Sequence, residues 1–331
     1  MCSLHGSYLY TLHTPLAMAL EAKVKEILKT SVFERTGKSG GGCINEGEGY
    51  RTDTGEVFLK RNSKPEARLM FDGELASLKA ILATRTVKVP DPIVVVDNPK
   101  GGAVLVMEYV NMKSLSKYSA QLGEQLGKLH KHNKTLKDKE ALQSKSIHKG
   151  NEEEEEEVRF INQFGFHTTT CCGYIAQDNT WKDDWVEFYA RQRLNHQIQL
   201  IEKDYGDRET IQLWSELQLK LPKFFKDIEI VPSLLHGDLW GGNVGETDNE
   251  PIIFDPATFY GHSEFELAIA KMFGGFNSSF FSAYHKELPK QQGFDTRLKL
   301  YQLFHYLNHW NHFGSGYRGS STSIMKTMVK M

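Results

Sequence analysis

An aspartate and an asparagine in the last third of the chain have the spacing of a loop that performs phosphoryl transfer. The segment Leu234–Asn243 follows apolar residues and places Asn243 five positions after Asp238. In this pattern the aspartate accepts the proton of an attacking hydroxyl, and the asparagine coordinates Mg²⁺ that neutralises phosphate charge. The spacing therefore predicts Asp238 as the catalytic base and Asn243 as a magnesium ligand. Capping and turn formation is the alternative role for such residues.

A second aspartate follows at the end of a predicted apolar strand. Asp255 comes directly after Ile252-Ile253-Phe254, twelve residues beyond Asn243, and this position predicts a second magnesium ligand. Pro256-Ala257 stands where regulated protein kinases have Phe-Gly, and no Ala-Pro-Glu segment follows. These departures argue against a regulated protein kinase. We interpret His236 as a structural member of the loop rather than as a base.

Glycines near the start of the chain could hold nucleotide phosphates. Gly37-Lys38-Ser39 resembles the end of a P-loop, but Val32 stands where that motif requires its first glycine. The glycine-rich stretch from Gly40 to Gly47 is a better candidate, since glycines at a hairpin tip let backbone N–H groups approach phosphate closely. A plain turn is the alternative. The residues predicted to contact ATP here are Gly41, Gly42, Cys43 and Ile44.

A lysine follows this stretch at a distance typical of kinases. Val57-Phe58-Leu59-Lys60 has the form of a strand whose terminal lysine reaches the α and β phosphates. A glutamate on the next helix should hold that lysine. We expect Glu74 in this role, with Glu66 as the competing choice.

The surrounding pattern predicts two lobes and an α+β fold. Short strands and one helix, at about 66–82, occupy the region from Lys38 to Val110, and helical periodicity dominates from Lys113 onward. We therefore expect a bilobal protein-kinase-like fold, with a small β-rich lobe over 18–110 and a larger, mainly helical lobe over 111–331. Two segments should lie outside the packed structure: a disordered extension over 1–17 and a flexible acidic loop over 132–157, which ends in six glutamates.

Composition excludes several other classes of protein. The 331 residues carry a net charge of -2, without the basic excess that binding to nucleic acid requires. No apolar run is long enough to cross a membrane. The four cysteines form no CxxC pair and no evenly spaced framework, which favours a reducing compartment, and we expect the cytosol.

From about Leu20 to its end the chain resembles the fructosamine kinase family. The catalytic segment carries this resemblance together with the runs Gly261–Ala268 and Tyr306–Phe313. The resemblance implies ATP- and Mg²⁺-dependent phosphorylation of the C3 hydroxyl of ketosamines, the sugar adducts that glycation forms on amines. The substrates would be glycated proteins or small ketosamines. Gly40–Cys43 and the tail Phe313–Ser321 are most similar to the branch that prefers ribulosamine and psicosamine adducts.

The same resemblance assigns further residues. Glu108, Tyr109 and Val110 would form the hinge that binds adenine, and the pocket around Trp240 would select the sugar. Cys43 occupies a position that responds to oxidation in some family members, so the protein would be a monomer or a redox-linked dimer; a small packed residue is the alternative. Cys171-Cys172 is interpreted as packing. Fructosamine specificity, an aminoglycoside or choline kinase, and a nucleotide-binding pseudokinase are the alternative functions.

Overall fold

The computed structural model describes residues 15–41, 45–143 and 159–331. The chain divides into two compact units. The first contains the chain up to Phe71 together with Ile93–Tyr109, and the second contains Asp72–Pro92 and Val110–Met331. Within the described residues, no helix is both long and apolar enough to cross a bilayer.

The first unit is built on a five-stranded sheet with the strand order β1-β2-β3-β5-β4. Its elements are α1 (Pro15–Leu28), β1 (Glu34–Gly41), β2 (Glu46–Thr52), β3 (Gly55–Asn62), the start of α2 (Ala67–Thr84), β4 (Pro92–Asp97) and β5 (Ala103–Glu108). Alternation along β3 buries Val57 and Leu59, which pack with Val104 and Val106 of β5 and with Val24 of α1. The strands and the helix expected from the sequence between Lys38 and Val110 are therefore present.

The second unit contains the rest of α2 and is mainly helical. Its helices are α3 (Ser119–Gln143), α4 (Trp185–Phe188), α5 (His196–Tyr205), α6 (Arg208–Lys220), α7 (Ser263–Ala270), α8 (Ser278–Glu287), α9 (Phe294–Phe313) and α10 (Arg318–Lys330). A π-helical turn, Tyr189–Asn195, joins α4 to α5. Its strands form three antiparallel pairs: β6 (Cys171–Cys172) with β7 (Ile175–Ala176), β8 (Ser233–Leu235) with β11 (Phe259–Gly261), and β9 (Val244–Glu246) with β10 (Pro251–Ile253). The expected α+β class is confirmed.

Two expected boundaries differ from the structure. Helix α1 begins at Pro15, so 15–17 are not part of a disordered extension; proline is favoured in the first turn of a helix, where its missing N–H needs no partner. Helix α3 continues to Gln143, where a loop was expected from His132. Residues 134–143 are polar but rich in strong helix formers. Residues 1–14 and 144–158 lie outside the described part of the chain.

Asparagine and glutamate side chains fasten the far half of α3. Asn133 Nδ2 donates to the carbonyls of Ile161 and Pro232, each at 2.7 Å. Glu140 Oε1 accepts from the N–H of Phe160 at 2.9 Å. The polar extension of the helix is therefore stabilised by tertiary contacts that hydrophobic periodicity does not report.

Candidate active site

The predicted catalytic segment forms a tight loop after strand β8. Asn243 Nδ2 donates to the backbone carbonyl of Asp238 at 2.9 Å and to its Oδ2 at 3.3 Å. The N–H of Asn243 also donates to the carbonyl of Trp240 at 2.9 Å. The loop thus brings the predicted base and the predicted magnesium ligand into direct contact.

The hairpin β9–β10 returns the chain to the same loop and delivers Asp255. The N–H of Phe254 donates to the carbonyl of Asn243 at 3.1 Å, so Asp255 follows a residue that is bonded to the other predicted ligand. Asp255 has φ of 57°, in the left-handed region that residues other than glycine rarely adopt. Such strain is typical of functional sites, where surrounding bonds hold the backbone in place.

His236 connects the base to the segment that carries Asp255. Its Nδ1 accepts the N–H of Asp238 at 3.2 Å, and its Nε2 donates to the carbonyl of Phe254 at 2.8 Å. Burial lowers the pKa of His236. A neutral ring with its proton on Nε2 satisfies both bonds, which agrees with a structural role rather than a role as base.

Glu266 on helix α7 anchors the backbone that precedes Asp238. Its buried carboxylate accepts the N–H of His236 through Oε2 at 2.5 Å and the N–H of Gly237 through Oε1 at 3.0 Å. On the other side His130 Nε2 faces Glu266 at 3.6 Å, and His130 Nδ1 is paired with the hydroxyl of Tyr284 at 2.8 Å. Sequence reasoning assigned no role to Glu266 or His130. Two glutamates, Glu264 and Glu266, stand in a short helix that is otherwise mainly apolar, and this pattern is the signal that could have identified Glu266.

Gly237 is required by the same geometry. Its φ is 86°, and a Cβ at this position would lie 2.2 Å from the carbonyl oxygen of Ala257. Ala257 in turn donates its N–H to the carbonyl of His236 at 2.8 Å. The close approach of the two segments therefore depends on a residue without a side chain.

Asn243 and Asp255 offer the type of donor that Mg²⁺ prefers. The amide nitrogen of Asn243 is occupied by Asp238, which leaves its Oδ1 as the side-chain atom suited to a cation, and Asp255 contributes carboxylate oxygens. Mg²⁺ is usually held by one or two such ligands plus substrate phosphates and water.

A short hairpin, β6–β7, packs beside the catalytic loop. Gln177 Nε2 donates to the carbonyl of Ala257 at 3.3 Å, and Thr170 Oγ1 donates to the carbonyl of Thr258 at 3.2 Å. Cys172 in this hairpin is buried, and its Sγ accepts from Asn308 Nδ2 on α9 at 3.3 Å. Burial and then the charge of Asp238 raise the pKa of this thiol. The hairpin therefore forms one wall near the predicted base.

Both adjacent cysteines of this hairpin are protonated thiols at neutral pH. Burial raises the pKa of Cys171 to about 11, and Cys172 is shifted in the same direction. A thiol must lose its proton to bind a metal ion, so these pKa values favour packing for the pair.

In the first unit, the strand pairing collects the predicted phosphate-binding residues. Gly40 of β1 lies opposite Gly47 of β2, and Gly47 lies opposite Lys60 of β3. A Cβ on Gly47 would lie 2.1 Å from the ring of Phe58, so packing requires glycine there. Lys60 is buried, with 7% of its surface exposed. Gly41 ends β1, whereas Gly42, Cys43 and Ile44 lie outside the described residues.

Gly37-Lys38-Ser39 is part of strand β1 and not a phosphate loop. Lys38 Nζ donates to Glu56 Oε2 at 2.7 Å and lies 4.5 Å from the ring centre of Tyr109. The lysine is thus committed to neighbours in the sheet, in agreement with the rejection of a P-loop.

The predicted hinge residues follow strand β5. Glu108 is the last residue of β5, and the N–H of Tyr109 donates to the carbonyl of Glu56 at 3.2 Å. Because the sheet uses this N–H, an adenine contact by the hinge would fall on other groups of Glu108–Val110. On α2, Glu74 is 9% exposed, whereas Glu66 precedes the helix and is exposed. Of the two glutamates expected for the lysine-holding role, Glu74 is therefore the buried one.

Comparison with known proteins identifies the family of the chain. The fructosamine kinase family model matches residues 17–331. The chain is 60% identical over 311 residues to mouse ketosamine-3-kinase, covering 94% of this chain and 100% of the relative. It is 38% identical over 304 residues to the chloroplastic protein-ribulosamine 3-kinase of Arabidopsis thaliana, covering 92% and 85% of the two chains.

Solved structures place the fold among the protein-kinase-like enzymes. A Haemophilus somnus protein assigned to the fructosamine-3-kinases superposes with a TM-score of 0.75 at 21% identity, covering 93% of this chain and 96% of that one. ADP-bound aminoglycoside phosphotransferase APH(2'')-Ib superposes with a TM-score of 0.55 at 11% identity, covering 94% and 98%. These structural similarities confirm the expected fold. On the match of the family model and the identity to its relatives, the chain belongs to the fructosamine kinase family.

Proposed function

We propose that this protein is an ATP-dependent ketosamine 3-kinase that phosphorylates the C3 hydroxyl of ketosamines formed on protein amines. The observation that carries the proposal is the contact of Asp238 with Asn243, in a loop to which the segment before Asp255 is hydrogen-bonded. This arrangement provides a base and two oxygen ligands at one place. The identity to enzymes that are named for ketosamine and ribulosamine supports the choice of acceptor.

In the proposed reaction Asp238 accepts the proton of the C3 hydroxyl, and the oxygen of that hydroxyl forms a bond to the γ-phosphorus of ATP. The bond from that phosphorus to the β-phosphate oxygen breaks, and ADP leaves. Asn243 and Asp255 would hold Mg²⁺, which neutralises charge on the phosphates when it is bound. His236 and Glu266 keep Asp238 in place through the backbone bonds described above.

The remaining site residues belong to the same proposal. Lys60 and Glu74 take the roles of the phosphate-binding lysine and its glutamate, and the β1–β2 hairpin covers the phosphates. Trp240, 40% exposed and two residues after the base, contacts the sugar. We also place the enzyme in the cytosol, which the free thiols of the neighbouring Cys171 and Cys172 support.

Purified protein with Mg-ATP and a ribulosamine of lysine tests the proposal. The expected products are ADP and a phosphorylated ketosamine, identified by mass spectrometry. Asp238→Asn should lower kcat by ~10²–10⁴-fold, the range for a positioned base, without a change in melting temperature. Wild-type protein that leaves the ketosamine unmodified, or an active Asp238→Asn variant, contradicts it.

Fructosamine specificity is the second candidate, because the similar Haemophilus somnus structure is assigned to the fructosamine-3-kinases. Side-by-side kcat/KM values for ribulosyl-lysine and fructosyl-lysine decide between them. We expect the ribulosamine to be preferred. The protein is also assayed with a panel of aminoglycosides. No turnover of these compounds would distinguish either ketosamine kinase from the aminoglycoside phosphotransferases that share only the fold.

A further inference from the structure

A connected series of four exposed and two half-buried aromatic rings begins at the catalytic segment and continues across the second unit. We call it the aromatic ridge; its members are Trp240, Phe273, His309, Phe313, His312 and Tyr174. Successive ring centres are 6.5 Å apart from Trp240 to Phe273 and 4.8 Å from Phe273 to His309. The series then continues at 5.5, 5.6 and 4.1 Å and ends at Tyr174.

The large rings of the aromatic ridge are unusually accessible. Trp240 and Phe273 are each 40% exposed, Tyr174 is 44% exposed and Phe313 is 60% exposed. Single exposed apolar residues are normal on a protein surface, but a connected group marks an interaction site. Aromatic side chains are also the residues that contribute most to binding energy at interfaces.

The end of the aromatic ridge farthest from Trp240 is fixed by helix α9 and by hydrogen bonds of Tyr174. His309, His312 and Phe313 lie at successive turns on one side of helix α9. The N–H of Tyr174 donates to His312 Nε2 at 3.1 Å, and its hydroxyl donates to the carbonyl of Asn311 at 2.9 Å. Gly173 allows this approach, since a Cβ there would lie 2.2 Å from His312 Nε2. A partner would therefore meet a Tyr174 ring whose ordering costs little on binding.

The aromatic ridge is uncharged at neutral pH. Burial lowers the pKa of both His309 and His312, whose Nδ1 atoms donate to the carbonyls of His305 and Asn308 at 2.7 Å. A surface for nucleic acid or anionic lipid needs lysine or arginine, which none of the six members supplies. Neutral ring faces instead suit backbone and apolar side chains, with little selection for sequence.

The position of the aromatic ridge identifies its occupant. It starts two residues after Asp238, in the loop where the N–H of Asn243 bonds to the carbonyl of Trp240. One sugar hydroxyl must reach Asp238, and a single ketosamine is too small to cover six rings that extend to Tyr174. Within the substrate, only the polymer that bears the sugar is long enough to contact the distant members.

We propose that the aromatic ridge is a docking surface for the polypeptide segment that flanks the glycated lysine. This inference rests on the proposed function. Contacts by Phe313 and Tyr174 with the flanking chain raise affinity for protein substrates irrespective of their sequence. They contribute nothing to a free ketosamine, which occupies only the region near Trp240.

Steady-state kinetics of Phe313→Ala on two acceptors test this proposal. The acceptors are ribulosylated lysozyme and the small molecule Nα-acetyl-Nε-ribulosyl-lysine. Loss of one exposed anchoring ring should lower kcat/KM for the glycated protein by ~5–10-fold, through KM, and leave the value for the small molecule within about twofold. Phe313→Tyr keeps a ring and should retain activity on both. Leu219→Ala, which truncates an 80% exposed residue of α6, should also retain both.

The other outcomes overturn the proposal in recognisable ways. Equal losses on both acceptors would assign Phe313 to the sugar site, and unchanged values on both would remove it from substrate binding. A concentration-dependent sedimentation coefficient that Phe313→Ala abolishes would assign the surface to a second copy of the chain. Wild-type protein inactive on the small ketosamine would refute the proposed function itself, together with the docking surface that rests on it.

Discussion

The catalytic segment and the aromatic ridge share Trp240 but are built in opposite ways. Around Asp238 the backbone is fastened by groups without solvent access: Glu266 accepts two N–H groups, and His236 bonds to two segments. The aromatic ridge exposes four of its six rings, and among the described residues its side-chain hydrogen bonds are confined to Tyr174, His309 and His312. The catalytic segment has a fixed backbone geometry, whereas the aromatic ridge offers apolar contacts that do not select a sequence.

The difference follows from what each region must do. Displacement of a reacting atom by about 1 Å can cost 10²-fold in rate, so the base and its neighbours need a fixed frame. A deglycating enzyme meets its sugar on many different proteins, so the surface beyond the sugar benefits from contacts that ignore sequence. Substitutions should therefore affect stability and kcat strongly in the first region and weakly in the second.

Glu266→Ala should give the largest effect. It leaves the N–H groups of His236 and Gly237 buried without their acceptor, and each such loss costs about 1–3 kcal/mol. We expect the free energy of unfolding to fall by about 3–5 kcal/mol and kcat to fall by ~10²-fold as Asp238 loses its position. Urea denaturation and single-turnover kinetics measure the two quantities.

Glu266→Gln is the matched control for this carboxylate. Its amide oxygen can still accept one backbone N–H, so it should retain more stability and more of kcat than Glu266→Ala. Wild-type stability and kcat in both variants would show that the carboxylate does not anchor the loop.

Acidification should destabilise the second unit through its buried histidines. Burial, and then the charge of Arg297, lowers the pKa of His262 to about 3, and burial lowers that of His305 to about 3. The unfolded chain binds these protons near pH 6.5 and the native chain does not, so stability is complete above that pH and falls as pH drops towards 3. From pH 7 to 5.5 we expect each histidine to remove about 1 kcal/mol from the free energy of unfolding.

His305→Phe removes the contribution of His305 to the pH dependence of stability. Within the described residues neither ring nitrogen of His305 has a hydrogen-bond partner, and the ring lies 5.1 Å from those of Phe265 and Phe304. An apolar ring should be neutral or stabilising at pH 7 and should remove about 1 kcal/mol of the acid-induced loss. Urea denaturation at pH 7 and 5.5 checks both; an unchanged pH slope would contradict a neutral buried His305.

Gly237→Ala tests the close approach of the two catalytic segments. The new Cβ would meet the carbonyl of Ala257 in a left-handed conformation that only glycine adopts easily. We expect a loss of about 2 kcal/mol in the free energy of unfolding and a lower kcat, with KM for ATP less affected. Gly206→Ala is a matched control, since Gly206 has φ of 60° and no atom lies within 4 Å of the position that its Cβ would take.

The sequence predicts the fold well because the fold follows local patterns, and the proposed catalytic residues are identified from patterns of the same kind. Alternation in β3, the spacing of Asp238 and Asn243, and the apolar run before Asp255 are each contained in about ten residues or fewer. The rejected P-loop is likewise explained by one missing glycine. Such motifs are readable because their chemistry requires given residues at given intervals.

The supports of the site could not be predicted in this way. Glu266 lies 30 positions along the chain from His236, whose N–H donates to its carboxylate. His130, on helix α3, lies beside the same carboxylate. The series of rings from Trp240 to Tyr174 likewise combines residues from four separate segments. Residues 134–143 are polar helix formers without apolar periodicity. The sequence therefore predicts a loop from 132, whereas α3 continues to Gln143.

Phe313→Ala should have the smallest effect on stability, which completes the contrast with Glu266. The ring of Phe313 is 60% exposed and ends helix α9, so its removal uncovers little surface and leaves no buried polar group unpaired. We expect a change within about 0.5 kcal/mol in the free energy of unfolding, as at most surface sites. Urea denaturation at pH 7 measures it. A loss as large as that of Gly237→Ala would mean that the aromatic ridge supports the fold, because a docking surface can lose an exposed ring without unfolding.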